Sequence, residues 1–160
     1  MKTHFRSVTT YPQQENANGI VVRLIDGLGF RFYWATEGLT EDDYSFSPGG
    51  GCQTIGELIG HVWGLVNWIH LNVLGEGISD KRPEDLAGRR EQIFQGLYDI
   101  RSHVEAIGQD ELFALQIEGK PLWHVINGPL SDALTHTGQI NSFRRLNGNV
   151  VPAHRPFLGH

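Results

Sequence analysis

A single cysteine, Cys52, occurs in the 160 residues. An internal disulfide is therefore excluded, and a reducing, cytoplasmic setting is the simplest expectation. No apolar stretch is long enough to span a bilayer, and the opening segment MKTHFRSVTTYPQQENANG has no hydrophobic region of the signal-peptide kind. No membrane partner is expected. There is no run of Lys or Arg, and the formal net charge is −5. A surface for the phosphates of nucleic acid is not expected from such a chain, and the pair Arg144–Arg145 does not change that. Internal repeats and low-complexity segments are lacking too.

What is present suits one globular domain over residues 1–160, with 39% hydrophobic and 19% charged residues around a single core. After an irregular lead-in over 1–19, helical spacing begins near Ile20 and runs through Val21, Leu24, Leu28, Phe32 and Ala35, with Gly38 as a stop. Gly27 and Gly29 lower the helix propensity of this stretch. Residues 39–53 read as a loop, turn-rich at Ser47, Pro48 and the glycines 49–51. Thr54-Ile55-Gly56-Glu57 has the form of a capping box. It opens a second helix through Leu58, Val62, Leu65, Ile69 and Val73, ended by Gly75 and Gly77.

A third helix is expected from near Pro83 to Gly108, with Leu86, Ile93, Leu97, Ile100, Val104 and Ile107 on one stripe. Within 109–121, Leu112 to Glu118 reads as a short extended piece. Leu122 to Asn127 reads as a helical turn interrupted at Gly128-Pro129. Pro129 suits the first position of a fourth helix that ends near Asn147-Gly148, and the tail 149–160 is expected to pack back on the rest. Four long helical segments predict an all-α four-helix bundle. Apolar positions on several faces of the first three helices predict a homodimer.

The chemistry-bearing residues gather on the fourth helix. Asp132 and His136 stand at i and i+4, which puts them on one helix face. Gln139, Ile140 and Phe143 continue that stripe and predict that it points inward. His61 lies three residues after Leu58 and four before Leu65, on the apolar face of helix two. Two histidines and a carboxylate are a ligand set for a divalent metal ion, with open positions of the catalytic kind. The plainer readings are a hydrogen-bonded core histidine at His61, a helix-dipole role for Asp132, and a local pair between Asp132 and His136.

Trp63 and Asn67 are candidates to line a pocket above the ion. Trp34, Trp63, Trp68 and Trp123 are expected in the core, His124 at the surface or behind the metal ligands, and Arg144 and Arg145 as a solvated helix end. His70 has no obvious partner, and Cys52 has no base nearby to activate it. Glu57 is the nearest acid to His61, but the cap is expected to use it.

These segments resemble the DinB-like superfamily of metalloenzymes. TIGELIGHVWGLVNWIH is similar to the family stretch that carries its first ligand, here His61. DALTHTGQINSFRRLNGN resembles the family's H-x-x-x-H-x-G-Q segment, with His136-Thr137-Gly138-Gln139 at its end, and VVPAHRPFLG resembles a frequent family ending. The chain departs from the pattern at Asp132, where most members have a histidine. The resemblance implies an up-down-down-up four-helix bundle and a divalent ion held by His61, Asp132 and His136. Such a His₂Asp set admits zinc or nickel first, and manganese or iron as well. It further implies a small-molecule substrate and a metal-dependent transferase or isomerase that uses a low-molecular-weight thiol such as bacillithiol, mycothiol or glutathione. The alternatives are a non-catalytic metal- or ligand-binding bundle of the stress-response type, or a metal-dependent hydrolase.

Overall fold

The computed structural model describes residues 3–13, 15–151 and 153–160. Among them the chain is mostly helical. A short 3-10 turn, His4–Arg6, precedes α1 (Ala17–Thr36), α2 (Glu41–Ser45), α3 (Ile55–Leu74), α4 (Leu86–Ala106) and α5 (Gln109–Ala114). A two-stranded antiparallel hairpin follows, β1 (Gln116–Ile117) against β2 (Lys120–Pro121), turning at Glu118 and Gly119, both with positive φ. Then come α6 (Trp123–Val125), one wide π-helical turn over Ile126–Leu130, and α7 (Ser131–Leu146).

Several boundaries differ from expectation, each for a local reason. The loop 39–53 contains α2 because Thr40 and Asp43 form a second capping box, and Glu41, Asp42 and Asp43 all sit in its first turn. At α3 the expected box is present: Thr54 N donates to Glu57 Oε2 at 2.7 Å, and Glu57 N to Thr54 Oγ1 at 3.2 Å. Gly75, with φ 85°, ends that helix in the left-handed region. Helix α4 starts at Leu86 rather than Pro83, since Asp85 takes the N-cap and accepts from Gly88 N at 2.6 Å. The extended piece foreseen at 112–118 is split, the end of α5 taking its first residues and β1 the next. Pro129 lies inside the wide turn, not at the start of α7; Gly128 takes φ −97° and ψ −105° there. Ser131 Oγ donates to the Ile126 carbonyl at 2.7 Å across the same turn.

The four long helices touch in the cyclic order α1, α4, α3, α7 and back to α1. Their directions follow from the residues that meet. Trp63 Nε1 donates to Gln92 Oε1 at 2.8 Å, and His70 Nε2 stands 3.6 Å from Asp99 Oδ2. Both numbers rise together, so α3 and α4 run parallel. Asn18 Nδ2 donates to Val104 O at 2.8 Å, Arg101 Nε to Asp26 Oδ1 at 2.9 Å, and Arg90 Nε to Thr36 Oγ1 at 2.6 Å. Here one number falls as the other rises, so α1 and α4 are antiparallel.

Parallel neighbours need a connection that travels back the length of a helix. At about 1.5 Å per residue α3 is about 30 Å long, and residues 75–85 cover that because extended chain spans about 3.3–3.6 Å per residue. His70, which has a partner after all, is buried and donates from Nδ1 to Glu76 O at 2.6 Å. Ile78 N donates to Asn67 Oδ1 at 2.8 Å. The Ile78 side chain fills the space above Gly96, where any Cβ would collide with it.

The lead-in is not peripheral. Phe5 is fully buried and its ring lies over Gly29, which has to lack a side chain to admit it. On α1, Val21, Ile25, Leu28, Phe32 and Ala35 are buried, whereas Leu24 falls at the margin of the stripe and is exposed. Trp63 is buried, and Trp34 and Trp68 pack partly against the core. Trp123, in contrast, is exposed, while its neighbour Val125 takes the buried side of the single turn α6. The tail does return: Val8 N donates to Gly159 O at 2.9 Å, Val151 is buried, and the His154 ring stacks on Trp34. Its Phe157 stays exposed.

Arg144 overturns the expectation of a solvated helix end, which only Arg145 meets. It is 2% exposed, and its Nη1 donates to the carbonyls of Trp34, Ala35 and Glu37 at 3.0, 3.2 and 2.9 Å. Those are the orphan acceptors at the end of α1. Its Nε and Nη2 hold Asn149, whose Nδ2 in turn donates to Asp43 Oδ2 at 2.7 Å. Burial pushes the Asp43 carboxyl up, but hydrogen bonds from Thr40, Asn147 and Asn149 outweigh it and bring the pKa down to about 2. No helix among the described residues is long and apolar enough to cross a membrane.

Candidate metal centre

On α7 the buried face is Ala133, Thr137, Ile140 and Arg144, at spacings of four, three and four. Asp132, His136 and Gln139 each precede one of these residues, and so run along the border of that face. On α3 the buried residues around the site are Leu58, Ile59, Val62 and Val66, and His61 again lies at the edge. The inward placement expected for these side chains is therefore corrected. His61 and Asp132 are each 45% exposed, and His136 is 17% exposed. The reason is that α3 and α7 are neighbours, so two helix margins meet at one groove, and the groove opens to solvent.

Within it, Asp132 Oδ2 lies 3.2 Å from His61 Nε2, and Asp132 Oδ1 lies 3.2 Å from His136 Nε2. The two imidazole rings meet edge to face with centroids 4.6 Å apart. One donor atom from each of His61, Asp132 and His136 falls within 4.8 Å of the others. Donors bonded to one ion at about 2.0–2.2 Å stand up to about 4.4 Å apart. The set thus closes on an ion with little side-chain movement, and its chemistry, two imidazole nitrogens and a carboxylate oxygen, fits a divalent cation. Each oxygen of the Asp132 carboxylate faces the Nε2 of one imidazole.

Gln139 adds a support that ligand spacing alone does not announce. His136 Nδ1 lies 2.7 Å from Gln139 Oε1, one turn further along α7. With the side-chain carbonyl as acceptor, Nδ1 carries the proton and Nε2 is left with its lone pair toward the centre.

The centre forms the wall between two clefts. One, of about 660 Å³, is lined by Leu65, Trp68, His124, Asn127, Asp132 and Thr135 among others. The other, of about 510 Å³, is lined by Gln53, Glu57, Gly60, His61, Arg82 and Arg89 among others. Trp63 and Asn67 are not among the residues that line these two clefts. Trp63 turns to Gln92 on α4, and Asn67 is taken by the crossover at Ile78. The aromatic wall comes from Trp68 and His124 instead, whose rings meet edge-on at 6.2 Å. Their signal in the sequence was weak, because the hairpin and the wide turn that bring His124 back to α3 leave no periodic pattern.

Glu57 is held by its cap. The Thr54 backbone and hydroxyl both donate to it and draw its pKa below the ordinary carboxylate value, which suits an acceptor rather than a general base. Cys52 is exposed in the turn before α3, where its carbonyl accepts from Ser47 Oγ. No family model, curated protein or solved structure matches the chain.

Proposed function

We propose that this chain is a divalent-metal-dependent enzyme of the DinB-like type, in which His61, Asp132 and His136 hold one ion and a small thiol is a substrate. The observation that carries the reading is the convergence of those three donors from α3 and α7. The helix directions support the up-down-down-up four-helix bundle that goes with it, with α3 and α4 parallel and α1 opposed to α4. The helical motif resemblances lie on the two helices that supply the donors.

A bound divalent ion lowers the pKa of a thiol or water at its open positions and so supplies a nucleophile at neutral pH. The chain's own residues do the rest. Gln139 holds the His136 tautomer, Asp132 contributes the one negative ligand, and the Leu65–Trp68–His124 cleft offers an apolar seat for the acceptor. Glu57, the acid nearest His61 on α3, is occupied at its cap, which favours thiol transfer over hydrolysis. A cytoplasmic location accords with the lone cysteine, and a homodimer with the exposed Ile20 and Leu24 one turn apart on α1.

The test is metal analysis of the purified chain, followed by transfer assays with bacillithiol, mycothiol and glutathione. One equivalent of zinc or nickel and turnover with one thiol is the expected result. Removing the ion should lower stability by mass action yet leave the helices folded. A protein that binds no metal is at variance with the reading, and one that binds metal without turnover is a binding bundle. Light scattering is expected to give the dimer mass.

A further inference from the structure

We infer that the cleft on the His61 side of the centre is an anion site, which holds a carboxylate or phosphate group of the small molecule that reacts there. The reaction rests on the metal reading above; the anion site rests on the arginines.

Two guanidinium groups converge on one glycine. Arg89 is fixed by its own backbone neighbourhood, with Nε donating to Pro83 O at 2.7 Å and Nη2 to Glu84 O at 3.0 Å. Its remaining nitrogen, Nη1, stands 3.4 Å from the position a Cβ on Gly60 would take, and Arg82 Nη1 stands 3.6 Å from that same position. Arg82 is exposed, and no hydrogen bond or ion pair joins it to any described residue. Like charges drawn to one point repel unless something negative lies between them. The two acids that share the cleft are engaged elsewhere: Glu57 with Thr54, and Glu84 with Lys81 at 3.4 Å. In a chain of net charge −5, two cations facing one small space are a local departure.

The chemistry fits an oxyanion. Guanidinium groups present parallel N–H donors that match carboxylate and phosphate oxygens. Gly60 has no side chain on the α3 side of the cleft, which lets both guanidinium groups come close to the helix there, whereas the Tyr44 carbonyl and Leu86 occupy the space beside Gly56. Gly60 immediately precedes His61, so a molecule anchored there extends toward the metal ligands. The second cleft, with Trp68 and His124, lies on the far side of Asp132 and is left for an apolar partner.

The experiment uses the full chain, stripped of metal and labelled with ¹⁵N, and follows the arginine Nε–Hε resonances. Propionate, methyl phosphate, propionamide and chloride are titrated at constant ionic strength. Saturable shifts of Arg82 and Arg89 with propionate, methyl phosphate or both are expected, and none with propionamide or chloride. Saturation with one anion alone names the carboxylate or the phosphate. Arg82→Gln, at an exposed position without a partner, should keep the fold and weaken the anion by about tenfold or more. Shifts that stay linear, match chloride, or survive unchanged in Arg82→Gln overturn the site. Because this titration contains no metal, failure to bind metal in the separate analysis counts against the metal reading alone.

Discussion

Asp132 on α7 and His61 on α3 are 71 positions apart in the chain and meet at 3.2 Å across the groove between their helices. The same carboxylate reaches His136 with its other oxygen. Asp132 is thus the hinge of the cluster: without it the two imidazoles face each other with no negative charge between them.

Asp132→Ala is expected to abolish stoichiometric metal binding, and His61→Ala and His136→Ala likewise. Asp132→His should retain the ion, because an imidazole can occupy the same place one turn from His136. Metal content by mass spectrometry on the variants reads this directly. Full retention of metal in Asp132→Ala would reduce Asp132 to a helix-dipole role, worth roughly 0.3–1 kcal/mol.

Gln139→Ala should weaken metal affinity by about 10–100-fold without removing a ligand, the usual size of effect when a ligating histidine loses the partner of its other nitrogen. Competition with a chromogenic chelator measures it. An unchanged affinity would mean that the 2.7 Å contact to His136 Nδ1 does not set the tautomer.

Replacing Arg144 by Met should cost on the order of 3 kcal/mol or more, since buried carbonyls of α1 and Asn149 lose a charged donor together. Arg145→Met, one residue away and exposed, should change stability by about 0.5 kcal/mol or less. Urea melts of the two variants separate a tertiary cap from a solvated helix end, and equal midpoints would contradict the cap.

The Asp43 carboxyl has its pKa lowered from 3.8 to about 2 in the folded chain. A depressed folded pKa means that the ionised group stabilises the fold above the unfolded value, and that this contribution is lost as pH falls from about 4 toward about 2. Its size is on the order of 2 kcal/mol. Asp43→Asn should therefore be less stable than the parent at pH 7, with the gap closing across that acid window. A gap independent of pH in chemical denaturation would remove ionisation from the account.

How much of this was legible beforehand depends on what kind of signal each element carries. Helix α3 shows a reciprocal cap at Thr54 and Glu57, a regular apolar stripe and a terminal glycine, and its bounds followed from those local terms. Helix α2 shows only a five-residue stretch, too short for a period, so its Thr40–Asp43 cap was the single clue. The three metal-ligand candidates were visible because residue type and helical spacing are local properties.

The amino-acid sequence by itself determined where the long helices lie, which donors they carry, and that one helix would present Asp132 and His136 on a common side. Only the tertiary structure decided that these donors stand at an open groove, that Trp63 and Asn67 serve α4 and the crossover, and that Arg144 is buried against a carbonyl cluster at residues 34–37. Periodicity reports which side of a single helix is apolar. The fate of a residue at the margin of that side is set by which neighbour covers it. That choice depends on helix direction and on connections such as 75–85, which carry no period of their own.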